Sequence, residues 1–536
     1  MNLLMLSVIV IVYLSIIAYL GYRGYKSTKT ASDYLIGGRN IHPYVMAISY
    51  GATFISTSAI IGFGGAAGIF GLGLLWLTFL NIAVGIFIAF VFFGKRTRIM
   101  GYNLDAHTFP ELLGKRFESR FLQGASGILI FIAMPLYAAV VLMGASHFLA
   151  QTLSISYDVA LLFFTAIIAI YVIMGGIKGV MYTDAFQGSL MFLGMTFLLI
   201  ITYNKLGGVT QAHKALTALA PEAIKIFGKA GHQGWTAMPA LFSKFWWTLV
   251  STIILGVGIG VLAQPQLVVR FMTVKSNKEL NRAVLIGGIF ILMMTGVAFV
   301  VGALSNVFFF NSEKYHTISL LAAGKNVGRI IPLYIKEAMP NWFTALFMVT
   351  LLSAAMSTLS SQFHTMGTSI GRDFYEKGLK TKSNKTIIIS QTGILIAILL
   401  SLFLAYSLPK FFAGGTAIIA RGTAIFFGLS AAAFLPIYLG GLYSKKITKE
   451  AAIAGFLTGV ITSAIWLFFF HVKESKPLLL CHALFGVDTL AGKSNWAVVD
   501  PILIALPIST IVTIIVSMFT KPPKNEHLEK CFLEIK

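Results

Sequence analysis

The chain reads as an all-α polytopic membrane protein, and three observations predict that class. It is 57% hydrophobic and only 11% charged over 536 residues, with 44 phenylalanines, which is too apolar for a soluble globule of that length. About thirteen windows of roughly 20 apolar residues are long enough to cross a hydrocarbon core as helices. Lysine and arginine gather in alternate connections between those windows, as they do in loops kept on the cytoplasmic side.

Numbered from zero, the windows fall near 2–22, 42–69, 72–94, 121–149, 158–176, 182–203, 245–269, 283–310, 342–368, 386–407, 412–441, 451–470 and 498–519. We call them segments 0 to 12. An odd count puts the termini on opposite faces. With the N-terminus outside, the inner loops and the tail hold 27 of the 41 Lys and Arg, the outer segments 13, and Arg421 remains within segment 10. Nine of the outer thirteen sit in two long loops near 204–244 and 311–340, where length weakens the charge rule. The expected location is the cell (inner or plasma) membrane, multi-pass, N-terminus outside and C-terminus cytoplasmic. Residues 1–22 lack a basic n-region and a small-residue cleavage site, so segment 0 is expected to be an uncleaved helix.

The net charge of +22 is spread over inner loops with no aromatic-interleaved basic patch, so topology explains it and no nucleic-acid partner is expected. Cys481 and Cys531 fall on opposite faces in this topology and cannot pair. The partners implied are lipid, a small solute and an ion. The sequence is silent on oligomeric state.

Two segments carry polar or glycine breaks at their middles. Segment 1 contains Ser49-Tyr50-Gly51-Ala52-Thr53-Phe54-Ile55-Ser56-Thr57-Ser58, and segment 6 contains Gly256-Val257-Gly258-Ile259-Gly260 followed by Gln264-Pro265-Gln266. They stand five segments apart and enter from opposite faces, the layout of an inverted repeat whose broken helices meet substrate and ion at the midplane. Close helix packing explains each break taken alone. The organisation that follows is 1–40 as an extra helix and inner loop, 41–204 and 245–445 as five-helix repeats, 205–244 as an outer loop, 446–520 as two further helices and 521–536 as a tail.

Segment 8 places Leu352-Ser353-Ala354-Ala355-Met356-Ser357-Thr358-Leu359-Ser360-Ser361-Gln362 where lipid offers hydroxyls no partner. Positions 354, 357, 358 and 361 share one helical stripe, with Ser360 beside it. Such a stripe either coordinates a small cation or lets helices pack closely.

These residues belong to a wider pattern: Ser32-Asp33-Tyr34-Leu35-Ile36-Gly37-Gly38-Arg39, Gly175-Gly176, Tyr182-Thr183-Asp184-Ala185-Phe186-Gln187-Gly188, Met356-Ser357-Thr358-Leu359-Ser360 and Arg372-Asp373-Phe374-Tyr375. Over most of 30–445 the chain resembles the sodium:solute symporter family, which includes bacterial proline, pantothenate, monocarboxylate and sialic acid symporters and animal sodium–glucose transporters. The resemblance implies a LeuT-like fold, no enzymatic activity and no cofactor beyond sodium as coupling ion. It implies a sodium site made by the carbonyls of Ala52, Ile55 and Ala354 and the hydroxyls of Ser357 and Thr358. It further implies a second sodium site at Asp184, Ser357, Ser360 and Ser361. Read without the resemblance, Asp184 is either ion-linked or an interfacial residue bonding Lys178 or water.

The run around Phe54 looks closest to the pantothenate-type branch; proline carriers have an acidic residue there, and sugar carriers have Asn there and Gln at the position of Ala59. The expected solute site comprises Phe54, Ser56, Thr57, Ser58, Gln264 and Arg421, and the expected solute is a carboxylate of pantothenate or monocarboxylate type. Three of them have a structural alternative: core packing for Phe54, a helix-gap filler beside Pro265 for Gln264, and snorkelling to the outer surface for Arg421. Arg421 has no acidic partner obvious from sequence. The alternatives carried forward are a proline-type amino acid or other solute symporter, and a solute sensor on the same fold. A membrane enzyme lacks its nucleophile or metal constellation here, and a channel would build its filter by oligomeric symmetry. One sodium ion concentrates a monoanion only about tenfold at a tenfold sodium gradient, because the membrane-potential terms cancel; two at ~100 mV reach several-thousandfold.

Overall fold

The computed structural model describes residues 3–379, 386–411 and 418–535. The start of the 412–441 window and Lys380, Lys382, Lys385 and Lys536 lie outside the described residues. Among those described, the chain is all helical, with one isolated bridge between Ile41 and Val274 and no strand.

Among the described residues, eleven helices are long and apolar enough to cross a membrane, where about thirteen were expected. The difference falls at two places. Segment 1 is cut after only 12 helical residues, Pro43–Phe54, and its second half runs into segment 2 as one 46-residue stretch, Ser58–Asn103. Segment 4 is the front of a 49-residue helix, Tyr157–Lys205, kinked at Gly176, so segments 4 and 5 belong to one element.

Both expected breaks are present. His42 caps the helix whose first residue is Pro43, and the helix ends where Ile55 turns extended (φ −91°, ψ 100°). Helical turns resume at Ser58 and run to Phe70. In segment 6 the break falls at Gln264 (φ −76°, ψ 115°), because Pro265 disfavours a helical conformation in the residue before it; Pro265 then begins the helix Pro265–Phe271.

Segment 8, Asn341–Gly378, has 94% of its apolar window buried, so protein surrounds it and not lipid. It packs against segments 5, 3, 9, 1 and 0. Segment 0 (Leu3–Ser27) lies along segment 5 so closely that a Cβ on Gly24 would sit 2.2 Å from Gly179 Cα. The connection between segments 5 and 6 folds over the end of segment 1, where Trp235 Nε1 donates to Gly68 O (2.8 Å) and Gly71 adopts φ +70° beside the Trp235 backbone.

Candidate cation and solute site

The break in segment 1 lies against the hydroxyl stripe of segment 8. Ser357 Oγ donates to Ala52 O (2.9 Å) and to Ala354 O (3.3 Å). Thr358 Oγ1 donates to Thr53 O (3.1 Å) and lies 3.4 Å from Ala52 O. All five residues are fully buried. Of the five expected ligands, Ala52, Ala354, Ser357 and Thr358 are thus joined directly, and Ile55 is the extended residue that ends the helix beside them. Carbonyls released from a helix end, together with two adjacent hydroxyls, form an all-oxygen set suited to a hard cation, and the negative end of the helix dipole adds to it.

Beside this junction is a narrow cavity of about 10 Å³, room for about one water molecule. Phe54, Ile55 and Ser56 reach it from the break, and Tyr137, Asn81, Thr295 and Thr423 are polar groups of its wall. The remaining lining is apolar and includes Phe427, whose ring stacks on Phe54 with centroids 6.2 Å apart. No lining residue is charged. Tyr137 and Ser56 meet across this cavity.

The other expected solute residues face elsewhere. Thr57 Oγ1 donates to Val141 O (2.7 Å), and Ser58 bonds Thr423 and Ile419 O, so both hydroxyls hold segment 1 to its neighbours. Gln264 donates to Gly260 O (3.2 Å) and accepts from Gln266 (3.3 Å), bridging the gap made by Pro265. Arg421 does not line the cavity. Its partner is Glu474, which the sequence did not reveal because it lies beyond segment 11. His471 bonds the same carboxylate, and burial together with the Arg421 charge holds its imidazole down to about 3 and therefore neutral.

The residues expected at a second cation site divide. Ser357 and Ser360 turn to helix carbonyls, Ser360 donating to Ser357 O (3.1 Å). Asp184 and Ser361 instead meet Arg270. Its Nη2 lies 2.9 Å from Asp184 Oδ2, 2.6 Å from Ser361 Oγ and 2.6 Å from Thr53 Oγ1, while Nε donates to Ser49 Oγ (3.0 Å). Lys178 pairs with Asp33 at 3.6 Å, so the interfacial reading of Asp184 is corrected. Arg270 is also a correction to the topology reading, which counted it in an inner loop and held Arg421 to be the sole basic residue in a span; it is 1% exposed.

At the end of segment 8, Arg372 grips Glu111 with two bonds of 3.0 Å, and Lys115 adds a third contact at 3.0 Å. Burial alone would raise the Glu111 carboxyl, but His107, Arg372 and Lys115 outweigh it and hold the group well below the usual carboxylate range. The neighbouring Asp373 accepts from Thr108 (2.7 Å) and Gln123 (2.8 Å).

Residues 34–459 match the sodium:solute symporter family. A sodium/proline symporter of Staphylococcus aureus is 26% identical, over 96% of this chain and 93% of that one. A Na⁺-coupled sialic acid symporter, solved substrate-bound and outward-open, superposes with a TM-score of 0.73 at 21% identity over 97% and 98% of the two chains. A nucleobase-cation-symport-1 family transporter solved in a closed conformation gives 0.53 at 13% identity over 94% and 99%. The last two establish likeness of fold.

Proposed function

Because the chain belongs to the sodium:solute symporter family, we propose that sodium bound between segments 1 and 8 drives uptake of a small carboxylate-bearing solute of no net charge, by alternating access. The observation that carries the solute class is the cavity wall, which offers hydroxyls, one amide and aromatic faces but no charged side chain. An unpaired anion in such a cavity is costly. A zwitterion finds partners at the break itself: the end of Pro43–Phe54 presents carbonyls to an ammonium or to sodium, and the helix resuming at Ser58 presents backbone N–H groups to a carboxylate. Phe54 and Phe427 would flank an apolar body. The curated relatives named sodium/proline symporters support an amino-acid-like solute, while a pantothenate or monocarboxylate would need a cationic partner now that Arg421 is engaged by Glu474.

The sodium ion would complete the junction of Ala52, Ile55, Ala354, Ser357 and Thr358, hold the outward-open form and order the break for solute. The two five-helix repeats, 41–204 and 245–445, would then rock about that point, with the N-terminus outside and the C-terminus in the cytoplasm. The test is uptake into proteoliposomes of labelled proline, other neutral amino acids, pantothenate and short monocarboxylates, with an inward sodium gradient, an inward proton gradient or neither. Sodium-driven accumulation of a zwitterion is the expected result. Accumulation of a monocarboxylate with no zwitterion transported would overturn the solute class, and proton-driven uptake would overturn the ion.

A further inference from the structure

The guanidinium of Arg270 sits in an oxygen cage built by three other segments. Ser49 and Thr53 come from segment 1, Asp184 from segment 5 and Ser361 from segment 8, all 2.6 to 3.0 Å from its nitrogens. Its remaining terminal nitrogen bonds the Gln266 carbonyl of its own helix. Without the guanidinium, three hydroxyls and a carboxylate would face one buried point, which is the donor set of a hard cation and not of an apolar core. Two of the four, Asp184 and Ser361, are residues from which a second coupling-ion site was expected.

We propose that Arg270 is a tethered cation filling this cage, so that the carrier binds one sodium ion per chain and not two. The inference rests on the symport reading above and deepens it. Asp184 already has a full positive charge 2.9 Å away, so a sodium ion arriving there would meet attraction and repulsion of similar size and still have to shed its water. The one Asp184 oxygen without a protein hydrogen bond among the described residues, Oδ1, is a single ligand where a small cation wants several. Ser357 and Ser360 offer no substitute, because their hydroxyls are turned to the carbonyls of Ala52, Ala354 and Ser357. An arginine suits the role better than a lysine would, since its planar fork presents Nε to Ser49 and Nη2 to the cluster of Thr53, Asp184 and Ser361 from one fixed plane.

A single sodium also agrees with the uncharged cavity. At a tenfold sodium gradient and ~100 mV, one ion moves a net-neutral solute to about five-hundredfold accumulation, against about tenfold for a monoanion.

The test counts ²²Na⁺ bound at saturation by the purified full-length chain in lipid nanodiscs, without solute. We expect one ion per native chain, two in Arg270→Gln, and one again when Asp184→Asn is added to Arg270→Gln. Two ions per native chain would overturn the proposal, and so would a folded Arg270→Gln that still binds one. Should Arg270→Gln fail to fold, the native count decides together with Arg270→Lys, which keeps the tethered charge and is expected to bind one. Failure of the symport reading looks different: the native chain would bind no sodium, or Ser357→Ala would leave sodium binding unchanged.

Discussion

Ser357 Oγ lies 2.9 Å from the carbonyl oxygen of Ala52, so a hydroxyl of the most enclosed candidate span among the described residues rests on the backbone released where segment 1 unwinds. With sodium present, this hydrogen bond would give way to two oxygens sharing one cation. Ser357→Ala and Thr358→Ala are each expected to raise the sodium concentration for half-maximal uptake about ten- to hundredfold, the equivalent of ~1.5–3 kcal/mol for a bond to a charged partner. Transport assayed across sodium concentrations, with variant protein quantified in the membrane, checks this; unchanged sodium dependence in both variants would remove the assignment.

Tyr137 lines the cavity beside the break and is not among the residues joined at the junction of segments 1 and 8. Tyr137→Phe is therefore expected to raise the KM for solute two- to tenfold, about 0.5–1.5 kcal/mol for one neutral hydrogen bond. Its sodium dependence should match the native protein. An equal shift in both would mean that the cavity and the cation junction are one site.

Arg421 and Glu474 form a buried ion pair, with side chains 12% and 8% exposed. Removing one partner of such a pair leaves the other charge unsatisfied, at about 3–5 kcal/mol, whereas replacing both with apolar side chains is often neutral. Arg421→Met is expected to lower the unfolding midpoint in detergent, and Arg421→Met with Glu474→Leu to recover most of it while the KM for solute stays unchanged. A KM defect in a fully stable double variant would return Arg421 to the solute site.

The helical membrane class, both breaks and the segment 8 stripe were legible because each depends on local pattern: apolar length, a proline after Gln264, hydroxyls three and four residues apart. Hydroxyl direction was not legible. Ser56, Thr57 and Ser58 are adjacent in sequence, yet Ser56 lines the cavity and the other two bond neighbouring helices, a choice made by tertiary packing. Arg270 was missed because a basic residue one position past an apolar window reads as the start of a loop. The signal that could have found it is Asp184, a carboxylate within a membrane segment that requires a cationic partner. Arg421 was over-read for the converse reason, its partner lying on the short helix Val472–Leu478 after segment 11, which carries no motif.

Glu111 gives a pH prediction whose sign follows from its environment. Its carboxyl is held below the usual range in the folded protein by His107, Arg372 and Lys115, which outweigh its burial. A depressed folded pKa contributes stability that is fully present above the unfolded value, about 4.3, and is lost as pH falls from there through the folded value. The joint between the Phe109–Arg116 helix and the end of segment 8 should therefore weaken on acidification below about pH 5. Glu111→Gln removes the charge and leaves Arg372 without its two-bonded partner, so it should cost about 3–5 kcal/mol near neutrality. Its unfolding midpoint should also fall less steeply than the native one between pH 5 and 3. Thermal unfolding of both proteins in detergent across that range measures the difference; parallel curves would mean that Glu111 keeps an ordinary pKa and that Arg372 is not its electrostatic partner.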